Sequence, residues 1–556
     1  MKKTTKIAVA AILTAVIAAV AYYVVLPPLS LYSELFWMSI TFVALLFGAV
    51  YLILSRKGDL FSAFKEKKAS KVSMATGTKV LIAVAALPIV VLALGNLLSS
   101  TLFNATKYAS IIEVEEAVFE EDMPENDRVT NIPLMDSNSA QIIGERELGE
   151  LDQMVSQYQV NGTYSQINSK GMPKKVSSLE YVDFFRWWNN RESGIPGYIM
   201  VDPVDFYADY VAFEDPILYT DSAFFSKDLQ RKLRFSFPTK IFGSCMFEID
   251  EEGNPHYIVS CMKPQVGLFG GMDVEEVIIF DPTDGSAELY GVDETPSWVD
   301  NVFTGLHASE KYDWHGTLKN GFWNSVIGKK DCKVTTDDYG YLIKGDDVWF
   351  FTGVTSVSAD ESNIGFILSN ARTGEYKYYP VKGAEEYSAM GVAQGEVQEK
   401  GYTASFPSLI NIAGEATYIM VLNDANGVVK MCALVNVENY NLVATGTTQA
   451  DAKQAYIQLL RDKGVITEEE DSVYGESAHT VTVTVTELRM VTVDGNSVLY
   501  VSGDDGTLYK QAIAADESLL LIQVGDRVEI SCFETDAERI RQIEKWSFAE
   551  TAEETE

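Results

Sequence analysis

Histidine and cysteine are scarce in this chain, with four and five copies in 556 residues. The cysteines form no Cys-x-x-Cys pair and no Cys/His zinc spacing, which excludes the common structural zinc and dithiol redox motifs. No G-x-S-x-G elbow, G-x-x-x-x-G-K-[ST] loop, H-E-x-x-H pair or strand-following G-x-G-x-x-G is present, so the usual local signatures of hydrolases, nucleotide-binding proteins and zinc proteases are missing. Basic residues are few as well: 44 Lys and Arg stand against 79 Asp and Glu, a formal net charge of -35. A surface of that sign repels phosphate backbones, so no nucleic-acid partner is expected.

Long apolar runs, by contrast, are plentiful near the amino terminus. Ile7 to Leu26, Leu35 to Ser55 and Val80 to Leu98 are each long enough, at about 1.5 Å per residue, to cross a hydrocarbon core of roughly 30 Å as a helix. Lys2, Lys3 and Lys6 precede the first run, and Arg56 to Lys79 between the second and third is basic, whereas the join "PPLSLYSE" has no Lys or Arg. The positive-inside rule then predicts three transmembrane helices, a cytoplasmic amino terminus and an extracytoplasmic remainder, a multi-pass cell-membrane topology. The first run also reads as a cleavable signal peptide, an alternative that leaves the rest unchanged. Ionisable groups are missing from the run interiors, Glu34 and Asn96 lying near the ends, which points to an anchor in the bilayer and not to a transport path.

Beyond Ser100 the composition suggests an α+β body. The acidic stretch "VEEAVFEEDMPENDRV" reads as part of a linker over 101–131. Residues 132–464 alternate β-rich runs with a few helices, among them "SAQIIGERELGELDQMV", capped by Ser137 or Ser139, "SSLEYVDFFRWWNNRES" and "TQADAKQAYIQLLRDKG". A second linker covers 465–478. Five strand candidates over 479–547 fit a small OB-like β-barrel, which carries 12 acidic and 6 basic residues, and 548–556 read as a disordered tail.

Three stretches align within the body: "GNPHYIVSC" with "VEEVIIFDPTDGSAELYG", "DDVWFFTGV" with "NIGFILSNARTGEYKYYP", and "GEATYIMVL" with "VVKMCALVNVENYNLVATG". "GIPGYIMVDP" opens a fourth. These units resemble PepSY-type α/β repeats, in which a helix packs on a short antiparallel sheet and a strand ends in a "D-x-x-T-G-E" turn; "ILSNARTGEYKYY" is the nearest match. The body is also similar to large, uncharacterised membrane-anchored extracytoplasmic proteins of Gram-positive bacteria. The PepSY resemblance implies a binding or regulatory module, sometimes attached to peptidases.

"DPTDGS" at Asp281 to Ser286 resembles the metal motif of the inositol monophosphatase family, and would make Asp281 and Asp284 ligands of Mg2+. The internal alignment instead sets Asp281 against Asn370 and Asn436, and Asp284 against Thr373 and Asn439. Turns select Asn and Asp for side chains that bond nearby backbone N–H groups, so a turn is expected here, and no cofactor or metal.

His256, His307, His315 and His479 show no catalytic spacing, and acidic pairs such as Asp346/Asp347 are expected by chance among so many carboxylates. Cys245 and Cys261 flank a hairpin turn, which leaves two readings: a disulfide, or two small apolar residues on a buried face. "FFRWWNN" and "NGFWNS" offer Trp187, Trp188 and Trp323 as partner or ligand contacts, with core packing as the plainer alternative. The expectation is therefore a non-enzymatic binding or scaffold protein of the cell envelope. Its partners would be envelope or membrane proteins and, through the amino-terminal helices, the lipid bilayer. A PepSY-like peptidase regulator and an envelope hydrolase stand as alternatives, the latter requiring a pocket in which His307 or His315 meets carboxylates.

Overall fold

A computed structural model describes residues 3–55, 76–123, 132–204, 206–357, 359–466, 479–493, 496–513, 517–534 and 540–549. Two compact units arise, one comprising residues 1–124, 129–411 and 416–452, the other 125–128, 412–415 and 453–556.

The apolar runs form helices α1 (Lys3–Val25), α2 (Glu34–Ser55) and α3 (Thr76–Ser99). α1 packs on α2, and α2 on α3. α1 and α2 are each long and apolar enough to cross a membrane; α3 joins them if it is counted with α4 (Thr101–Ala109), from which it is bent by 53°. The bend falls at Ser100, whose extended backbone (φ -64°, ψ 150°) ends one helix and opens the next.

The acidic segment after α4 is not a linker as far as Met123, contrary to the sequence expectation. Strand β1 (Val114–Glu116) pairs in parallel with Tyr376–Tyr379, and α5 (Phe119–Asp122) buries Phe119 against Tyr379. Asp122 accepts hydrogen bonds from Lys344, Tyr379 and Lys377, the last at 3.0 Å. Burial would raise its pKa, but these three donors hold it down at about 2. Asp122 is thus held by basic partners more than 200 residues away, while Glu113, Glu115, Glu116, Glu120 and Glu121 stay exposed.

Four helix-and-sheet modules follow. The first has α6 (Ser137–Gly149), β2 (Tyr158–Val160), β3 (Ser165–Ser169), β4 (Met172–Tyr181), α7 (Phe184–Asn190), β5 (Ile195–Asp202) and β6 (Tyr207–Ile217), paired β2-β4-β5-β6 with β3 on β4. Asp136, not Ser137 or Ser139, caps α6 by accepting from Ser139 N. The helix expected across "SSLEYVDFFRWWNNRES" begins only at Phe184, where Asp183 accepts from Phe185 N and Arg186 N. Before it, Val176 to Leu179 are buried and lie in β4, whose neighbours on both sides override the helical periodicity.

The second module is α8 (Leu229–Ser236), β7 (Ile241–Ile249), β8 (Pro255–Val266), β9 (Gly270–Phe280) and β10 (Ala287–Gly291), an antiparallel meander. The third is α9 (Gly305–Leu318), β11 (Lys333–Thr335), β12 (Gly340–Lys344), β13 (Asp347–Ser356), β14 (Ala359–Asn370) and β15 (Tyr376–Tyr379), with β16 (Gly383–Ala384) on β14. The fourth is α10 (Glu386–Glu396), β17 (Thr403–Ala404), β18 (Ser408–Ile412), β19 (Glu415–Asn423), β20 (Val429–Asn436) and β21 (Val443–Gly446). β13 shows why such strands read as unbroken apolar runs. Phe350 and Val354 pack with Ala308 and Tyr312 of α9, while Trp349 and Phe351 join Tyr418 and Met420 of the fourth module, so alternate residues serve two cores.

The aligned turns are equivalent in structure. At the end of β5, β9, β14 and β20 stand Asp202, Asp281, Asn370 and Asn436, and each side chain accepts from a backbone N–H two or three residues on: Val204, Thr283, Arg372 and Asn439. Asp281 and Asp284 are turn residues; Asp284 accepts from Ser286 N at 2.7 Å.

One buried network joins three modules. Glu248 on β7, fully buried, accepts from Asp300 N at 2.9 Å and from Asn301 N at 2.8 Å. Asp300 accepts from Asn168 N at the end of β3, and Asn168 Nδ2 donates to Asp346 O before β13. Burial raises the pKa of both carboxyls; the hydrogen bonds from Asp300 N and Asn301 oppose the shift at Glu248, whereas the nearby Glu248 carboxyl adds to the shift at Asp300.

In the second unit, after α11 (Gln449–Asp462), come β22 (His479–Val493), β23 (Asn496–Gly503), β24 (Leu508–Ala512), β25 (Arg527–Glu534) and β26 (Ile540–Phe548). Each pairs with two others in the cyclic order β22-β23-β24-β26-β25, all antiparallel except β24 with β26. Val483, Val501, Tyr509, Val528 and Ile530 fill its core. Of the expected linker over 465–478, residues 467–478 lie outside the described residues, as does the part of the expected tail over 548–556 that follows Ala549; Phe548 itself ends β26.

Candidate binding surfaces

Two cavities flank β1, whose alternating side chains divide between them. Glu113 and Glu115 line an open cavity of about 580 Å³ with Asp273, Phe303, Lys311 and Tyr376. Val114 and Glu116 line a second, of about 350 Å³, with His315, Lys319, Asp331 and Lys333.

In the larger cavity Asp273 on β9 meets His307 Nε2 at 3.1 Å and Lys311 Nζ at 2.8 Å, both from the first turns of α9, which Thr304 caps. Residues four apart lie on one helix face, which is why this pair converges on a single carboxylate. Lys311 is buried, its ammonium 4.4 Å from the Phe303 ring centroid. Burial lowers the Lys311 pKa and Asp273 opposes the shift; at Asp273 burial raises the pKa, but the His307 hydrogen bond and the Lys311 charge leave it below its ordinary value. A His–Asp pair of this kind can orient an imidazole as a base, but of the two only Asp273 lines the cavity, and among the described residues its lining has the Thr373 hydroxyl and no serine or cysteine. His315 donates from Nδ1 to Ala109 O at 2.8 Å, and burial lowers its pKa. His256 lies 3.2 Å from Asp250, against the Trp298 ring. Among the described residues no group of three or more His, Cys, Asp or Glu side chains is placed to hold a metal ion.

The tryptophans separate. Trp187 is buried, 4% exposed, but Trp188 is 47% and Trp323 67% exposed. Trp187 and Trp188 share a cluster with Phe184, Phe224 and Phe225, ring centroids 5.0 to 6.3 Å apart. Trp323 stands on a different turn, after α9, against Phe322. No protein-family model and no curated protein matches the chain.

Cys245 and Cys261 both carry free thiols. The hairpin register sets Cys245 opposite Val259, and a bulge then sets Cys261 opposite Phe242. The two cysteines are diagonal and not facing, outside the Cβ separation of about 3.5–4.5 Å that a disulfide requires. Both pack into the first core, the second of the readings left open from sequence.

Phe224, Phe225, Arg231 and Phe235 complete the exposed aromatic surface and were not singled out from sequence. The available signal was charge: Phe224 to Lys240 carries five basic residues and one acid, in a body where residues 108–556 hold 33 basic and 76 acidic ones.

Proposed function

We propose that the chain is a membrane-anchored, extracytoplasmic binding or scaffold protein of a Gram-positive cell envelope, without catalytic activity of its own. The observation that carries this reading is the attachment of the body to two alternate helix ends. Beyond α1, Leu26 O accepts from Arg234 and Leu29 N donates to Pro238 O; at the end of α3, Ser99 Oγ accepts from Leu268 N and Phe269 N. If α1, α2 and α3 each cross the bilayer, these ends lie on one side, opposite Lys3 and Lys6, and the positive-inside rule makes that side extracytoplasmic.

The four modules support a PepSY-like body through their shared helix, antiparallel strands and Asp/Asn turn. The strand order and the single parallel pair of the last unit support an OB-like barrel, a fold that does not by itself name a ligand. A cavity rimmed by Glu113, Glu115 and Glu375 suits a cationic group, such as a basic segment of an envelope protein. Regulation of an envelope peptidase is one way such a body could act. The His307–Asp273 pair is what favours the hydrolase reading, and the absence of Ser or Cys from its cavity weighs against it.

The test is cross-linking in intact cells, followed by mass spectrometry of what the tagged full chain captures. Reproducible capture of one or a few envelope proteins through residues 132–547 is expected. An empty capture from well-expressed protein contradicts a scaffold.

A further inference from the structure

We infer that the exposed aromatic surface formed by α7, Phe224–Phe225 and α8 docks on the headgroup region of the anionic bilayer that α1 enters. The inference rests on α1 being a membrane helix and goes beyond it, because anchoring alone lets a body stand clear of the lipid.

Continuity with α1 is the first support. Phe235 of α8 packs its ring 6.0 Å from that of Tyr22 and 6.4 Å from that of Tyr23, in the last turn of α1. Arg231 stacks 4.3 Å over Tyr23, and its guanidinium also donates to Phe225 O at 2.6 Å. The surface therefore begins where the apolar helix ends, at the depth where aromatic rings favour the membrane–water boundary.

Composition is the second. Phe185, Trp188, Phe225 and Phe235 are 68%, 47%, 54% and 55% exposed and lie on neighbouring elements, an apolar grouping that water disfavours. Phe225 holds a left-handed φ of +55°; its ring packs 5.7 Å from that of Trp187, yet the residue is still 54% exposed.

Charge is the third. Arg191 stacks 4.5 Å over Trp188, and Arg186, Arg191 and Arg231 each pair with one acid, Asp183, Glu192 and Asp228, while Lys227 and Lys232 stand over the neighbouring Tyr219 ring, so the basic residues outnumber their acidic partners. The strongly acidic composition argues against electrostatic docking of the body as a whole, and this face is the local exception. Aromatic rings interleaved with arginine and lysine are the chemistry of an interfacial contact with anionic lipid.

The experiment uses the full chain labelled with 5-fluorotryptophan in nanodiscs of anionic phospholipid containing a nitroxide-headgroup lipid. Lines are assigned by single Trp→Phe variants. Trp37, in the first turn of α2, reports whether the anchor is inserted; Trp349, buried in β13, reports the body interior. Strong relaxation enhancement is expected at Trp37 and Trp188, at least tenfold that at Trp349. Enhancement at Trp37 with a sharp Trp188 line overturns the docking and leaves the anchor standing. Sharp lines at both overturn the anchor and the docking together.

Discussion

Arg234 donates from Nε to the carbonyl of Leu26 at 3.0 Å, although 208 residues separate them. The same guanidinium donates to Lys240 O at 2.6 Å and stacks 4.1 Å over Phe242, and the residue is 5% exposed. One buried cation thus ties the end of the first apolar helix to the second module.

Arg234→Ala is expected to destabilise the protein by about 2–4 kcal/mol, since it strands buried carbonyls that the charged group satisfies. Hydrogen exchange checks this: protection should fall at the amides of Leu26 and Leu29 and in α8, while the last unit keeps its own. Unchanged protection there would separate helix from body.

Asp122→Asn removes the charge that three donors share and leaves Lys344 and Lys377 side by side. A loss of about 1–3 kcal/mol is expected. Limited proteolysis should then cut between Ile111 and Met123, where the wild type resists; equal cutting of the wild type there would restore the linker reading of this segment.

Acidification from pH 8 to pH 5.5 is expected to raise the melting temperature. Burial pushes Glu386 up to about 7 and Asp313 up to about 6, and raises Glu248 and Asp300. The folded state therefore holds protons that the unfolded chain has released, so the contribution of these four groups is full below about pH 4 and is lost as pH rises through 6 to 7, opposed in part by His315, whose pKa burial lowers. Glu386 alone accounts for roughly 2 kcal/mol between pH 5.5 and pH 8. Glu386→Gln should flatten the slope; an equal slope in the variant would place the effect elsewhere.

Alkylation under denaturing, non-reducing conditions should label both Cys245 and Cys261. In the folded protein labelling should be slow, because burial pushes the Cys261 thiol up to about 12 and that of Cys245 higher. A 245–261 cross-link by mass spectrometry would contradict the register of β7 and β8.

Legibility in the sequence followed the range of the interactions. The Asp/Asn turns were readable because a side chain bonding a backbone two or three residues away is a local event, and the five strands of the last unit were readable from their alternation. What failed depended on distant partners. Asp122 reads as solvated until Lys344 and Lys377 are beside it, and Ser177 to Tyr181 read as helical until flanking strands cover them. Cys245 and Cys261 left two readings open because a bulge cannot be counted from composition. Trp188 and Trp323 stand on the surface and Trp187 beneath it, a division that the pattern "FFRWW" does not announce.

The most direct test of the account is the side of the membrane on which the body lies. Glu251, exposed in the β7–β8 turn, is replaced by Cys and treated in intact cells with a membrane-impermeant maleimide, with Lys67→Cys as the comparison. Labelling of Glu251→Cys without permeabilisation, and of Lys67→Cys only after it, is the predicted result. The reverse pattern would put the body in the cytoplasm and contradict the extracytoplasmic scaffold.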